Sequence, residues 1–223
     1  MIVMHEISKS FPTGLAVDTV SLEISPGQTV IIEGPSGSGK TTLLRLIAGL
    51  ENPDAGEILI DGKIASRPGF NLEPYKRDMG FVFQSPALWP HMTIAQNILF
   101  GLDGHPVEFR KQRLQFLLEK ASLEDFGNRY PDQVSKGEAR RVSILRALAP
   151  EPRRTLMDEP LTNIDPELKV RIMQLIQDEV ARTGASLILV THSADEADAF
   201  VGRKFTMRKG RLSETPDRGE GDK

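Results

Sequence analysis

The densest chemistry in the chain lies in Gly34-Pro35-Ser36-Gly37-Ser38-Gly39-Lys40-Thr41, with Thr42 directly after it. The stretch matches the pattern G-x-x-x-x-G-K-S/T without a gap. Glycines at these spacings let successive backbone N–H groups turn inward and form an anion nest. A helix beginning near Lys40 would aim the positive end of its dipole at the same place. The Lys40 ammonium then suits the β- and γ-phosphates of a nucleotide, and the Thr41 hydroxyl suits magnesium. The bland alternative is a flexible glycine turn with an incidental lysine. It fails because the motif sits between a buried strand and a helix. The motif names a ligand and leaves the job open, since kinases, GTPases, helicases and transport ATPases all carry such loops.

A second group is acidic. Asp158 and Glu159 end the apolar run Thr155-Leu156-Met157. A strand-end aspartate suits a magnesium shell, and a carboxylate next to it suits a general base that polarises water. His192 follows the run Leu187–Val190, at the carboxyl end of a strand, where open α/β sheets bind ligands. Gln84 ends Phe81-Val82-Phe83 in the same manner, and its amide suits a magnesium shell or the orientation of water.

These residues require a scaffold, and the hydrophobic patterning supplies one. Val20, Leu22 and Ile24 alternate with polar residues as in a half-buried strand, and Ser25-Pro26-Gly27 makes a turn. Thr29-Val30-Ile31-Ile32 is a β-branched run suited to a strand covered on both faces. Residues 41–48 read as a helix closed by Gly49. Glu57–Ile60 followed by Asp61-Gly62 reads as a hairpin. Between about residues 85 and 149 the pattern becomes helical, over 110–122 and 138–148. Strand–helix alternation then resumes. It comprises a short strand over 155–157, a helix from Asp165-Pro166 to about Arg182 ended by Gly184, and a buried strand over 187–190. A capping box at Ser193–Glu196 and a hairpin through Lys209-Gly210 complete it. The pattern predicts an α/β core with antiparallel β pieces near the N-terminus and a helical insertion.

Composition bounds the possibilities. The chain has 223 residues, 39% hydrophobic and 26% charged, as an ordinary globular protein has. A net charge of -3 gives no general attraction to nucleic acid. The absence of cysteine excludes disulfides and thiolate metal sites. No stretch of about 18 apolar residues occurs, so a membrane path is expected from another chain. The N-terminus carries no signal-peptide pattern.

Taken in order, these pieces resemble the nucleotide-binding domain of an ABC transporter, over nearly the whole chain. Gly34–Thr42 resembles the Walker A loop, Gln84 the Q-loop, and Asp158 and Glu159 the Walker B aspartate and catalytic glutamate. Leu161–Asp165 resembles the D-loop and His192 the H-loop, while Phe11 falls where the family stacks an aromatic on adenine. Val134-Ser135-Lys136-Gly137-Glu138 resembles the signature motif, usually L-S-G-G-Q, with Lys136 and Glu138 as departures. Ser135 and Glu138 also form a capping box, which presents a helix N-terminus. Arg153 and Arg154 depart from the usual apolar start of the Walker B strand, which places that strand's start later.

The resemblance implies a P-loop NTPase (RecA-like) core sheet with an N-terminal antiparallel β subdomain and an inserted helical subdomain. The expected division is a core at about 1–84 and 150–213, a helical part at 85–149, and a flexible tail at 214–223. It also implies ATP and Mg2+ as ligands, with Thr41, Gln84 and Asp158 at the metal. Glu159, His192 and Gln84 would serve catalysis, and Ser135 and Gly137 would contact ATP held by a second subunit in a head-to-tail dimer. Ser85–His91, with the only tryptophan, Trp89, would dock a membrane permease at the cytoplasmic face of the membrane. The segment Leu88–Ile94 is similar to one found in importers of small solutes and anions, which implies uptake, with a solute-binding protein as a further partner. The chain is expected to lack the C-terminal regulatory β domain that such importers often carry. The alternatives are an exporter or extractor ATPase subunit, or a non-transport ABC protein.

Overall fold

A computed structural model describes residues 1–215 of the chain. It divides into two compact units, one formed by residues 1–79 and the segment from 186 onward, the other by residues 80–185.

The first unit holds two sets of strands. β1 (Ile2–Phe11), β2 (Gly14–Ile24), β4 (Ala55–Ile60), β5 (Lys63–Arg67) and β6 (Phe70–Asn71) form an antiparallel sheet in the order β2-β1-β4-β5-β6. β1 and the first half of β2 are strands that alternation does not reveal. The register between them shifts near Glu6 and Thr19, both of which have positive φ, so the two-residue period breaks in both strands at once. The predicted β4–β5 hairpin is present. Asp61 and Gly62 both have positive φ, as a type I′ turn requires.

The second set is β3 (Thr29–Glu33), β9 (Ser186–Thr191), β10 (Arg203–Arg208) and β11 (Arg211–Glu214). β3 lies between β9 and β10 and is parallel to both, while β11 pairs antiparallel with β10. Val30, Ile31, Ile32, Ile188, Leu189 and Val190 are fully buried, which explains why both strands read as unbroken apolar runs. Glu214 ends β11, so the first residue assigned to the predicted tail lies in a strand; residues 216–223 of that expectation lie outside the described residues.

Among the described residues, two α-helices complete this unit. α1 (Lys40–Ala48) is capped by Gly49 in the left-handed region. Its far end is held by Arg77, which is 1% exposed and donates to the carbonyls of Ile47 (2.8 Å) and Leu72 (2.9 Å). The same guanidinium reaches Ala65 O, Ser66 Oγ and Asn71 Oδ1. Burial pushes its pKa down to about 10, so it remains a cation at neutral pH. α6 (Ala194–Ala199) has Ser193 at its N-cap, accepting from the Glu196 N–H. The reciprocal arm of the expected capping box is different. The Ser193 N–H donates to Thr191 Oγ1 (3.1 Å), and that hydroxyl donates to the Glu196 carboxylate (2.8 Å).

The second unit is mainly helical. Between β7 (Met79–Val82) and β8 (Arg154–Asp158), two neighbouring strands, the described residues form no strand. α2 (Ile94–Leu99) starts with a capping box of Thr93 and Gln96, a T-x-x-Q signal that apolar periodicity over one and a half turns does not reveal. α3 (Val107–Lys120) starts a turn earlier than predicted, behind Pro106, and stops before Ser122 because Ser122 has positive φ. α4 (Lys136–Leu148) starts two residues earlier than predicted, and α5 (Pro166–Thr183) keeps its predicted start and runs one residue past Arg182. Asp165 occupies the N-cap of α5, but its side chain makes no capping bond, so Pro166 alone sets that start. β8 begins at Arg154, one residue earlier than predicted, and Arg154 is buried within it. No described helix is long and apolar enough to cross a membrane.

Candidate functional site

In the first unit β3 runs directly into Gly34–Gly39, and α1 begins at Lys40. Backbone passes so close to this loop that side chains do not fit. A Cβ on Gly34 would lie 2.2 Å from Met207 O, and one on Gly39 would lie 2.1 Å from Ala16 O. The loop is tied down from outside, with the Gly210 N–H donating to Ser38 O (3.0 Å) and the Asp18 N–H to Gly210 O (2.9 Å). Arg211 donates to the Asp18 carboxylate (2.7 Å), and chiefly this bond holds Asp18 below the usual carboxylate range.

Two features inside the loop suit an anion. Lys40 is 5% exposed, and its Nζ donates to the carbonyls of Gly34 (2.7 Å) and Pro35 (2.9 Å), so the ammonium is held across the loop's mouth. Ser38 Oγ is buried and has no hydrogen-bond partner among the described residues. A buried hydroxyl left unpaired costs about 1–3 kcal/mol, so this orphan marks a position where an acceptor from outside would be stabilising. The first N–H groups of α1 also lack intrahelical partners, and the N-cap residue Gly39 offers no side chain to satisfy them. Thr41 is exposed and Thr42 half-buried at this end of the helix. The loop therefore fits phosphate.

The other candidates of this unit stand on strand ends. His192 is exposed directly after β9, on a turn framed by the Thr191–Glu196 and Ser193–Thr191 bonds. Phe11 ends β1 opposite Gly14 and is 37% exposed, with the Lys9 ammonium 5.5 Å from its ring centroid. A half-exposed ring at the tip of a hairpin suits stacking.

In the second unit β8 delivers Asp158, 2% exposed, and Glu159 follows with φ 48°. Left-handed backbone at a glutamate is strained, of the kind that surroundings must over-determine and that clusters at functional sites. Arg140 of α4 supplies part of that determination. One of its terminal nitrogens donates both to Glu159 O (2.8 Å) and to Gln84 O (2.8 Å), and the other donates to Phe83 O. Two residues singled out by sequence, 84 and 159, are thus brought onto one guanidinium. Arg140 itself carried no sequence signal, since an arginine within a helix normally marks a solvated face.

The signature-like segment forms the N-terminus of α4. Ser135 Oγ accepts from the Glu138 N–H (3.2 Å), and the Glu138 carboxylate accepts from the Ser135 N–H (2.6 Å). The capping box is therefore complete. Burial works to raise the Glu138 pKa. The Ser135 bonds and the charges of Arg141 and Arg129 outweigh it and hold the carboxyl below its ordinary value. Ser135 and Lys136 are exposed, while Gly137 is half-buried. Trp89 is also half-buried. Its ring packs 4.2 Å from that of Phe100 and lies under the Arg146 guanidinium at 4.7 Å.

Comparison with known proteins supports this picture. Residues 17–162 match the family model described as ABC transporter. The sulfate/thiosulfate import ATP-binding protein CysA of Synechocystis sp. is 41% identical over 218 residues, which cover 96% of this chain and 59% of that protein. The Fe(3+) ions import ATP-binding protein FbpC 1 of Haemophilus influenzae is 40% identical over 213 residues, covering 95% of this chain and 64% of that protein. The chain thus spans about three fifths of the length of these two relatives. Among solved structures, a dimeric ATP-binding cassette in a post-hydrolysis state bound to ADP and Pi matches with a TM-score of 0.84 at 34% identity. That match covers 96% of this chain and 98% of the other. The α/β P-loop NTPase class read from the sequence is the fold of these cassettes. With the motifs in the family's order, and the matched region reaching from β2 to the residues after Glu159, the chain belongs to the ABC transporter family.

Proposed function

We propose that the chain is an ATP-hydrolysing subunit that energises uptake of a small solute or ion through a separate membrane permease. The observation that carries the nucleotide part is the loop at Gly34–Thr42, with its unpaired Ser38 hydroxyl, its glycine cradle and the Lys40 ammonium across it. The uptake part rests on the relatives, both of them import ATP-binding proteins.

Roles follow from chemistry. Gly34, Pro35, Ser36, Gly37, Ser38, Gly39, Lys40, Thr41 and Thr42 bind the phosphates, and Phe11 stacks on adenine. Mg2+, for which the oxygens of Thr41, Gln84 and Asp158 are suitable donors, would supply charge neutralisation at the β- and γ-phosphate oxygens. Glu159 accepts a proton from the attacking water, whose oxygen bonds to the γ-phosphorus as the bridge to the β-phosphate breaks. His192 and Gln84 orient the γ-phosphate and the water. Ser135 and Gly137 contact ATP held by a second copy of the chain, so that nucleotide favours the closed dimer by differential binding. The helical part at 85–149 carries the permease-docking loop Ser85–His91. On this reading the subunit works at the cytoplasmic face of the membrane, with a solute-binding protein as the remaining partner.

The test is the Glu159→Gln variant with ATP, followed by light scattering on a sizing column and by identification of co-purifying membrane proteins. ATP-dependent dimers and a permease are expected. A chain that stays monomeric with ATP and purifies without a membrane partner sinks the reading.

A further inference from the structure

Arg140 has a position that the roles above do not use. It is 2% exposed, and its guanidinium ends on three main-chain carbonyls, those of Phe83, Gln84 and Glu159. These come from two segments, 56 and 19 positions away in sequence. Arg146, further along the same helix, donates to two more carbonyls of that first segment, Pro86 (3.0 Å) and Ala87 (2.8 Å). The backbone that carries Gln84 is thus laced to α4 at four carbonyls, and the strained backbone of Glu159 at one.

A guanidinium is a planar fork of five donors, so one such group fixes the relative placement of the carbonyls it binds. Burial pushes the Arg140 pKa down, and the negative charges of Asp158 and Glu159 push it back up, so the cation has an electrostatic reason to remain at this place. The N-terminus of α4, less than two turns away, carries Ser135 and Gly137. A displacement of α4 at that end therefore reaches Gln84 and Glu159 through a single side chain.

We infer that Arg140 is a positioning residue for ATP hydrolysis, holding the backbone of Glu159 and Gln84 from the helix that carries Ser135 and Gly137. The inference rests on the ATPase reading above. Arg140 does not touch substrate; it acts through the peptide groups.

The test compares the full chain with its Arg140→Gln, Arg140→Lys and Glu159→Gln variants. Three quantities are measured: ATPase rate against ATP concentration, affinity for a fluorescent ATP analogue, and amide hydrogen exchange without nucleotide. A misplacement near 1 Å is enough to cost about 10²-fold, so Arg140→Gln is expected to lower kcat by about 10- to 100-fold with KM within about threefold. Faster exchange is expected at 83–87 and 159–162 only, with Arg140→Lys recovering part of both effects. A kcat within about twofold of wild type, or a KM that rises in proportion to the lost rate, overturns the inference. Faster exchange throughout the unit, or failure of both variants to fold, also overturns it, because Arg140 would then support the fold and not the site. A wild-type chain that binds nucleotide but hydrolyses none refutes the ATPase reading instead, and the exchange pattern then judges the backbone restraint by itself.

Discussion

Gly137 and Asn163 are packed so closely that a Cβ on Gly137 would stand 2.6 Å from the Asn163 carbonyl oxygen. The obstructing oxygen is a main-chain atom, so it cannot swing aside as the end of a flexible side chain would. This gives the signature-like segment a steric rule: the second of its two central positions must be glycine, whereas the first, Lys136, is exposed. Gly137→Ala is therefore expected to cost about 1–3 kcal/mol, the usual cost of overpacking. Lys136→Gly, with nothing to collide, is expected to cost no more than about 1 kcal/mol, a glycine's helix-propensity penalty. Denaturant unfolding of both variants checks the contrast, and equal losses would contradict it.

Ser38→Ala should act in opposite directions on the empty and the loaded protein. Removing an unpaired buried hydroxyl relieves a desolvation penalty, so the nucleotide-free chain is expected to gain about 1 kcal/mol. The ATP-induced rise in Tm is expected to shrink, because ligand stabilisation follows affinity and one donor to phosphate is gone. Thermal melts with and without ATP read both effects. A variant that melts lower in both conditions would show that the hydroxyl has a partner within the fold.

The phosphate loop was legible because its chemistry is contiguous and its flanks are long apolar runs. Gly34–Thr41 needs no distant residue to be recognised, and Val30–Ile32 is fully buried as its composition suggests. β1 was not legible, because bulged backbone at Glu6 and Thr19 cancels the alternation on which strand reading depends. The expected capping box at Ser193 was half right. Spacing shows that Glu196 can reach back, but not that Thr191, two residues before the cap, takes its carboxylate. Arg77 and Arg140 were illegible for a deeper reason. Each is buried by carbonyls from remote segments, and a sequence displays side chains, not the carbonyls that need donors.

Arg77→Met, similar in length but without donors, tests how α1 is anchored at the end away from its phosphate loop. The carbonyls of Ile47, Leu72 and Ala65 would lose a charged donor in a buried place. The Ala65 oxygen keeps the Leu72 N–H (2.8 Å), so two acceptors, those of Ile47 and Leu72, are left unpaired. At about 1–3 kcal/mol each, the loss is expected to be about 2–6 kcal/mol in denaturant unfolding at neutral pH. Gly49→Ala is expected to be unfavourable for the same packing, since its Cβ would lie 2.5 Å from the Arg77 guanidinium. A mild effect of Arg77→Met, under about 1 kcal/mol, would mean that water replaces the guanidinium.

Glu179 sets a pH dependence whose sign can be worked out. It is 3% exposed on α5, paired with Arg113 of α3 and with Arg182 (3.0 Å). Arg113 also donates to Leu148 O (2.9 Å) and so closes the C-terminal end of α4. Burial works to raise the Glu179 pKa, yet the bonds and charges of the two arginines outweigh it and hold the pKa below its ordinary 4.5. A depressed carboxyl contributes stability that is complete above the unfolded-state pKa and is lost as pH falls through the folded one. Glu179→Gln leaves the buried Arg113 with only the longer, part-exposed contact to Glu151 (3.7 Å), so at pH 7 it is expected to cost up to about 3–5 kcal/mol. The wild type alone carries the proton-linked loss, so the gap between the two proteins is expected to narrow once pH falls below 4.5. Urea unfolding at several pH values measures the gap directly. A gap that stays constant down to the acid limit of folding would show that the carboxylate's charge contributes nothing to this pair.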